Sequence, residues 1–144
     1  DISSLSDLAG KVVVTQADSS ALAALTDDSE DNADNLALTA SFADLQQVAD
    51  YNTAFMNLES GAVDAIAVDI GVAKYQVSSR GDAFKMLDEQ VSSEQYAVGF
   101  KKGNTALCDK VQATLDEMQA DGTIDKIAAN YADYNVPYML CLGK

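Results

Sequence analysis

The chain has 144 residues, 48% of them hydrophobic, which suffices for one domain with a packed core or for one domain and part of a second. Nine Lys and Arg stand against 23 Asp and Glu, and the resulting charge of −14 argues against nucleic acid or an anionic membrane surface as partner. There is no histidine, so the commonest general base and metal ligand is absent, and no run of about 18 apolar residues offers a bilayer span.

Cys108 and Cys141 lack the CxxC spacing of a zinc site. Cys108 falls in a helical pattern, where a buried small hydrophobe is expected, and a disulfide to Cys141 is left open. No basic, apolar leader precedes Asp1, so an export signal would have been removed or would lie outside this sequence.

In chain order, Lys11–Gln16 (KVVVTQ) reads as a buried strand and Ser20–Leu25 as the start of a helix, with Asp18-Ser19-Ser20 at the changeover. The acidic run TDDSEDNADN, residues 26–35, has no apolar period and reads as a solvated loop. Leu45–Asp50 is a weaker strand. Asn52 or Thr53 is expected to cap a short helix carrying Phe55 and Leu58, which Gly61 ends in a left-handed turn.

Val63–Asp69 (VDAIAVD) is the second clear strand, apolar on both faces as in a sheet covered by helices. Ile70–Ser79 follows as helix, stopped by Arg80-Gly81-Asp82, and Phe84–Leu87 and Tyr96–Lys101 (YAVGFK) read as further strands. Gly103-Asn104-Thr105 opens the longest helix, with Leu107, Val111, Leu115 and Met118 on one stripe of core-facing period. ADGT, residues 120–123, ends it. Thr123 is expected to cap the next helix, which carries Ile124, Ile127 and Tyr131, and Pro137 falls in an irregular tail.

Strands alternating with helices through short turns imply a mostly parallel sheet with right-handed crossovers. In such sheets a ligand sits outside the carboxyl ends of the strands. Three strands here end in polar residues: Gln16 to Ser20, Asp50-Tyr51-Asn52, and Asp69. Asp69 is the sharpest candidate, because a carboxylate between buried sheet and crevice suits an ammonium group, while it also suits the helix start at Ile70 as a cap.

The segments SLSDLAGKVVVTQADSS, AFMNLESGAVDAIAVD and SSEQYAVGFKKGNTALCDKVQATLDEMQADGTIDKIAANY together resemble the family 3 solute-binding proteins of bacterial amino-acid ABC transporters. The DLxGK entry, the LxxGxVDA strand entry and the ADGT junction carry the likeness, which runs from Leu5 to about Tyr131. The resemblance implies an α/β fold of the type II periplasmic-binding-protein kind, with residues 1–91 as the second ligand-binding lobe. Residues 92–95 would then be the hinge return, and residues 96–144 the strand and helices of an incomplete first lobe. Most of that first lobe, including its carboxylate-binding arginine, would be absent; Arg80 does not match that position.

Carried over by residue, Asp69 corresponds to the acid that takes the ligand α-ammonium. Ser19 and Ser20 correspond to the turn that contacts its α-carboxylate, and Gln16 to a position facing the ligand side chain. Asp18 departs from the pattern, which has Gly there, and its charge opposes a carboxylate in that turn.

The implied function is an extracytoplasmic receptor, periplasmic or lipid-anchored. It would bind a free amino acid without cofactor or metal, deliver it to a membrane permease, and close about a hinge. A cyclohexadienyl-dehydratase-like enzyme on the same fold and a sensory ectodomain are the alternatives. For the chain alone, binding is expected to be weak or undetectable. Self-association is a further expectation, since the apolar stripe of residues 96–144 would lack its partner.

Overall fold

A computed structural model describes residues 1–134 and 136–142. The described chain divides into two compact units, Asp1–Ser93 and Glu94 onward. The first is an α/β unit with a parallel sheet flanked by helices.

Its centre is β1 (Val12–Gln16), where four consecutive β-branched residues favour the pleat and Val13, Val14 and Thr15 are buried. Helices α1 (Ser20–Thr26) and α2 (Ala33–Ser41) follow, then β2 (Asp44–Val48), α3 (Tyr51–Ser60), β3 (Ala65–Ile66) and α4 (Ile70–Arg80). The sheet order is β2-β1-β3, all parallel, with Val12 opposite Asp44, Gln16 opposite Val48, and Val13 opposite Ala65. Every crossover is helical, so all three strands end at the same edge.

Val14, Ala54 and Val63 form the core cluster beneath α3, with Val48, Tyr51, Leu58 and Ile66 packed around it. Burying one such side chain is worth about 1.5–3 kcal/mol. Gly61 ends α3 in the left-handed conformation, φ 76°, as its sequence position predicts.

Three expectations fail in this unit. The acidic run is not all loop: Glu30–Asn32 forms a 3₁₀ turn and α2 begins at Ala33. Side-chain amides hold it, Asn32 Nδ2 donating to Ala24 O (2.9 Å) and Asp27 O (2.7 Å), and Asn35 Nδ2 donating to Val91 O (3.0 Å). These are non-local ties that apolar period does not report.

The cap of α3 is Asp50, not Asn52 or Thr53, because β2 stops at Val48 and the helix starts at Tyr51. The expected Phe84–Leu87 strand is absent. Among the described residues no strand pairs with that segment, and Phe84 packs its ring 5.4 Å from that of Phe55.

The second unit holds α5 (Thr105–Ala120), α6 (Thr123–Ala129) and the short α7 (Val136–Met139). Tyr96–Lys101 is not a strand: no strand among the described residues includes or adjoins it in a ladder, and Tyr96 and Val98 are 82% and 63% exposed. The stripe on α5 is present but only half-covered, with Leu107 47% exposed, and Cys108 is exposed where burial was expected. Cys108 and Cys141 are both unpaired, exposed thiols.

Gly122, φ 75°, takes the N-cap position of α6, so Thr123 is the first helical residue and Asp121 supplies the acceptor for its N–H at 2.8 Å. Tyr131 lies beyond the end of α6, and Pro137 sits within α7 instead of an irregular tail.

Candidate functional site

The carboxyl edge of the β2-β1-β3 sheet gathers the polar tips singled out above. Gln16 and the turn through Ser20 follow β1, Asp50 follows β2, and Asp69 follows β3. Neighbouring strands stand about 4.8 Å apart, so three side-by-side tips span roughly 10 Å, the scale of one small polar molecule.

Thr15 fixes that edge from below. It is fully buried, and its Oγ1 donates to Ala67 O at 2.8 Å. A buried hydroxyl needs such a partner. The bond ties the end of β1 to the chain just before Asp69, prolonging the β1–β3 alignment past the two-residue ladder. Ala67 N completes the tie by donating to Val14 O at 2.9 Å. The hydroxyl residue directly after three valines in VVVTQ was the sequence signal for this role, and periodicity alone passed over it.

Asp69 is half-buried and caps α4, its Oδ1 accepting from Gly71 N at 2.8 Å and Val72 N at 3.2 Å. Capping locks the carboxylate in place at the strand tip, which is the preorganisation a charged ligand group needs.

Ser19 is more committed than its sequence position suggests. Its hydroxyl donates to Gln16 O (2.7 Å) and accepts from Leu22 N (3.1 Å), so its one proton is used within the turn. Contact with a ligand carboxylate would therefore fall to the exposed Ser20 and to the backbone. Among the described residues, Ser20 N–H and Ala21 N–H find no backbone acceptor. Gln16 reaches sideways, Nε2 donating to Ala49 O at 3.2 Å, which links the β1 and β2 tips.

Asp18 sits at φ 57°, the single non-glycine in the left-handed region among the described residues. That conformation accounts for a glycine preference at such a turn; Asp tolerates it better than most residues but at some cost. Asp50, exposed, accepts from Thr53 N (3.0 Å) and Thr53 Oγ1 (3.1 Å), and those bonds hold its carboxyl below the ordinary range.

Arg80 plays no part at this edge. It lies ten residues along α4, about 15 Å from the tip by helical rise, and its guanidinium stacks on the Phe55 and Phe84 rings while Nη1 meets Glu59 at 2.9 Å. Two grooves are lined by other residues, one of about 290 Å³ along Leu107–Leu115 of α5 in the second unit and one of about 530 Å³ between Leu5, Asn35 and Val91 in the first. No group of three His, Cys, Asp or Glu side chains among the described residues is placed to hold a metal ion, and no described helix is long and apolar enough to cross a membrane.

The profile of the bacterial extracellular solute-binding proteins, family 3, matches residues 2–134. The chain belongs to this family. It is 29% identical over 93 residues to the ABC transporter glutamine-binding protein GlnH of Bacillus subtilis (strain 168), a match covering 65% of this chain and 34% of that protein.

Among solved structures it resembles an ancestral arginine-binding protein bound to arginine, with TM-score 0.70, 35% identity, and coverage of 90% of this chain and 54% of that one. The same kind of protein bound to glutamine gives TM-score 0.68 and 34% identity over 88% of this chain and 52% of that one. This family member thus spans about a third of the curated relative and about half of the solved chains. Its α/β fold and parallel sheet agree with the resemblance read from the motifs.

Proposed function

We propose that this chain forms the ligand-binding lobe of an amino-acid receptor serving an ABC importer, with Asp69 holding the ligand α-ammonium. The observation that carries the reading is the convergence of three parallel strand tips on one edge, with a capped, half-buried carboxylate at one of them. Ser20 and the free amides of Ser20 and Ala21 would receive the α-carboxylate, Ser19 would shape the turn, and Gln16 would approach the ligand side chain.

Residues 1–91 act as the second lobe, 92–95 as the return through the hinge, and 96–144 as the part of the first lobe that this sequence contains. The glutamine and arginine ligands of similar proteins support an amino acid as the ligand class. The receptor works outside the cytoplasm, hands its ligand to a membrane permease and catalyses no reaction. Ligand-driven closure against the rest of the first lobe provides the affinity that one open face lacks.

Asp69→Asn tests the assignment, because Asn still caps a helix but loses the charge. Because one open face binds weakly, the amide chemical-shift titration runs to the solubility limit of arginine or glutamine, where the native chain should show concentration-dependent shifts at residues 17–21 and 69–72. The variant should lose at least tenfold in affinity while its spectrum stays folded. Equal titration of both proteins would refute the role of Asp69.

A further inference from the structure

The three strand tips each carry one carboxylate: Asp18 two residues past β1, Asp50 two past β2 and Asp69 three past β3. None of the turns 16–20, 49–53 or 67–71 contains Lys or Arg. Asp50 and Asp69 cap helices. Asp18 differs. It is exposed, makes no hydrogen bond or ion pair with a described residue, and occupies a backbone conformation that glycine would take more easily.

We propose that Asp18 is a specificity-determining residue that makes this edge favour ligands of net positive charge over neutral ones, and neutral over anionic ones. The inference rests on the binding reading above and names the ligand class within it.

Its physics is simple. The amides at Ser20 and Ala21 are neutral dipoles, so they orient a carboxylate without offsetting the formal charge beside it. With Asp18 in the β1 turn, the edge presents three negative groups and no positive one from its own turns. At this separation, within about a Debye length of 10 Å at 0.1 M salt, those charges act on any ligand docked there. Every ligand α-carboxylate meets the same repulsion at Asp18, so what varies is the rest of the ligand. A cationic side chain recovers the lost interaction, a neutral one does not, and a second carboxylate adds to it. Selection then arises by exclusion of anions instead of by a fitted pocket.

The experiment titrates L-arginine, L-glutamine and L-glutamate against the native chain and Asp18→Asn, following the amides of residues 17–21 and 69–72. Asn keeps the tolerance for positive φ, and Asp18→Gly serves as a second variant with no strain at all. The expected native order is arginine, then glutamine, then glutamate. The arginine-to-glutamate ratio should fall about tenfold in both variants, and the native ratio should shrink toward the variant value in 1 M NaCl. Binding with an unchanged ratio in both variants would overturn the charge filter and leave the binding reading standing. If none of the three ligands perturbs those amides in any of the proteins, the binding reading fails and the filter with it.

Discussion

Residues 1–93 and residues 94–142 contain similar sequence patterns but reach different ends. In the first stretch Leu8, Val13, Val14, Leu25, Ala54, Phe55 and Val63 are buried; in the second, Ala128 is the sole buried side chain among the described residues. Yet α5 carries a regular apolar stripe, Leu107, Val111, Leu115 and Met118, of the same core-facing period. The difference teaches that period locates the face to be buried, whereas burial needs an opposing surface. β1 has two flanking strands and the helices α1 and α3 to meet its valines; among the described residues the main partner of α5 is one short helix, α6.

The contrast can be broken by truncation. Leu25→Ala, at a fully buried position, should cost about 3 kcal/mol in denaturant unfolding followed by a probe in the first unit. Leu115→Ala on α5, half-buried, should cost less than about 1 kcal/mol. Equal costs would mean that the second unit has a core of its own. Hydrogen exchange sharpens the same point: the amides of Val13–Thr15 should exchange only through global opening, and those of Ala97–Phe100 within the fastest class.

A smaller loss is expected at the strand edge. Thr15→Val removes the donor to Ala67 O inside the core and should destabilise by about 1–2 kcal/mol, with the largest shift changes at residues 67–69. Retained shifts there would show that β3 holds its alignment without that bond.

Acid should act on both units, weakly. Asp7 is held down to about 2, first by Ser3 N–H and then by the hydroxyls of Ser3 and Ser4 and the Ser4 N–H; Thr53 lowers Asp50 and Thr123 lowers Asp121. A folded-state value below the unfolded one adds stability that is complete above the ordinary 3.8 and disappears as the pH falls toward 2. Melting curves between pH 5 and pH 2 should therefore decline, with a shallower decline in Asp7→Asn. The smallest expected effect is a gain: Asp18→Gly relieves the left-handed strain and should raise stability by up to about 1 kcal/mol.

Much of this architecture was legible. The strands at Val12–Gln16 and near Ala65, the helix opening at Ile70, the glycine stop at Gly61 and the long helix from Thr105 all follow local signals of period, capping and left-handed backbone. What escaped was non-local. The helix from Ala33 is held by amides reaching to Ala24 and Val91, and YAVGFK has strand composition but, among the described residues, no strand to pair with.

At the candidate site, the meeting of Gln16, Asp50 and Asp69 at one edge followed from parallel topology. The engagement of Ser19 in its own turn did not, because a hydroxyl's choice of partner depends on distances that spacing does not encode.

The most direct measurement compares arginine with Nα-acetyl-arginine in the same amide titration of the native chain. Acetylation removes the α-ammonium while keeping the side-chain charge and the carboxylate. The account predicts concentration-dependent shifts at residues 69–72 with arginine and at least a tenfold weaker response with the acetylated form. Matching responses to the two compounds, or shifts confined to residues 94–142, would contradict it.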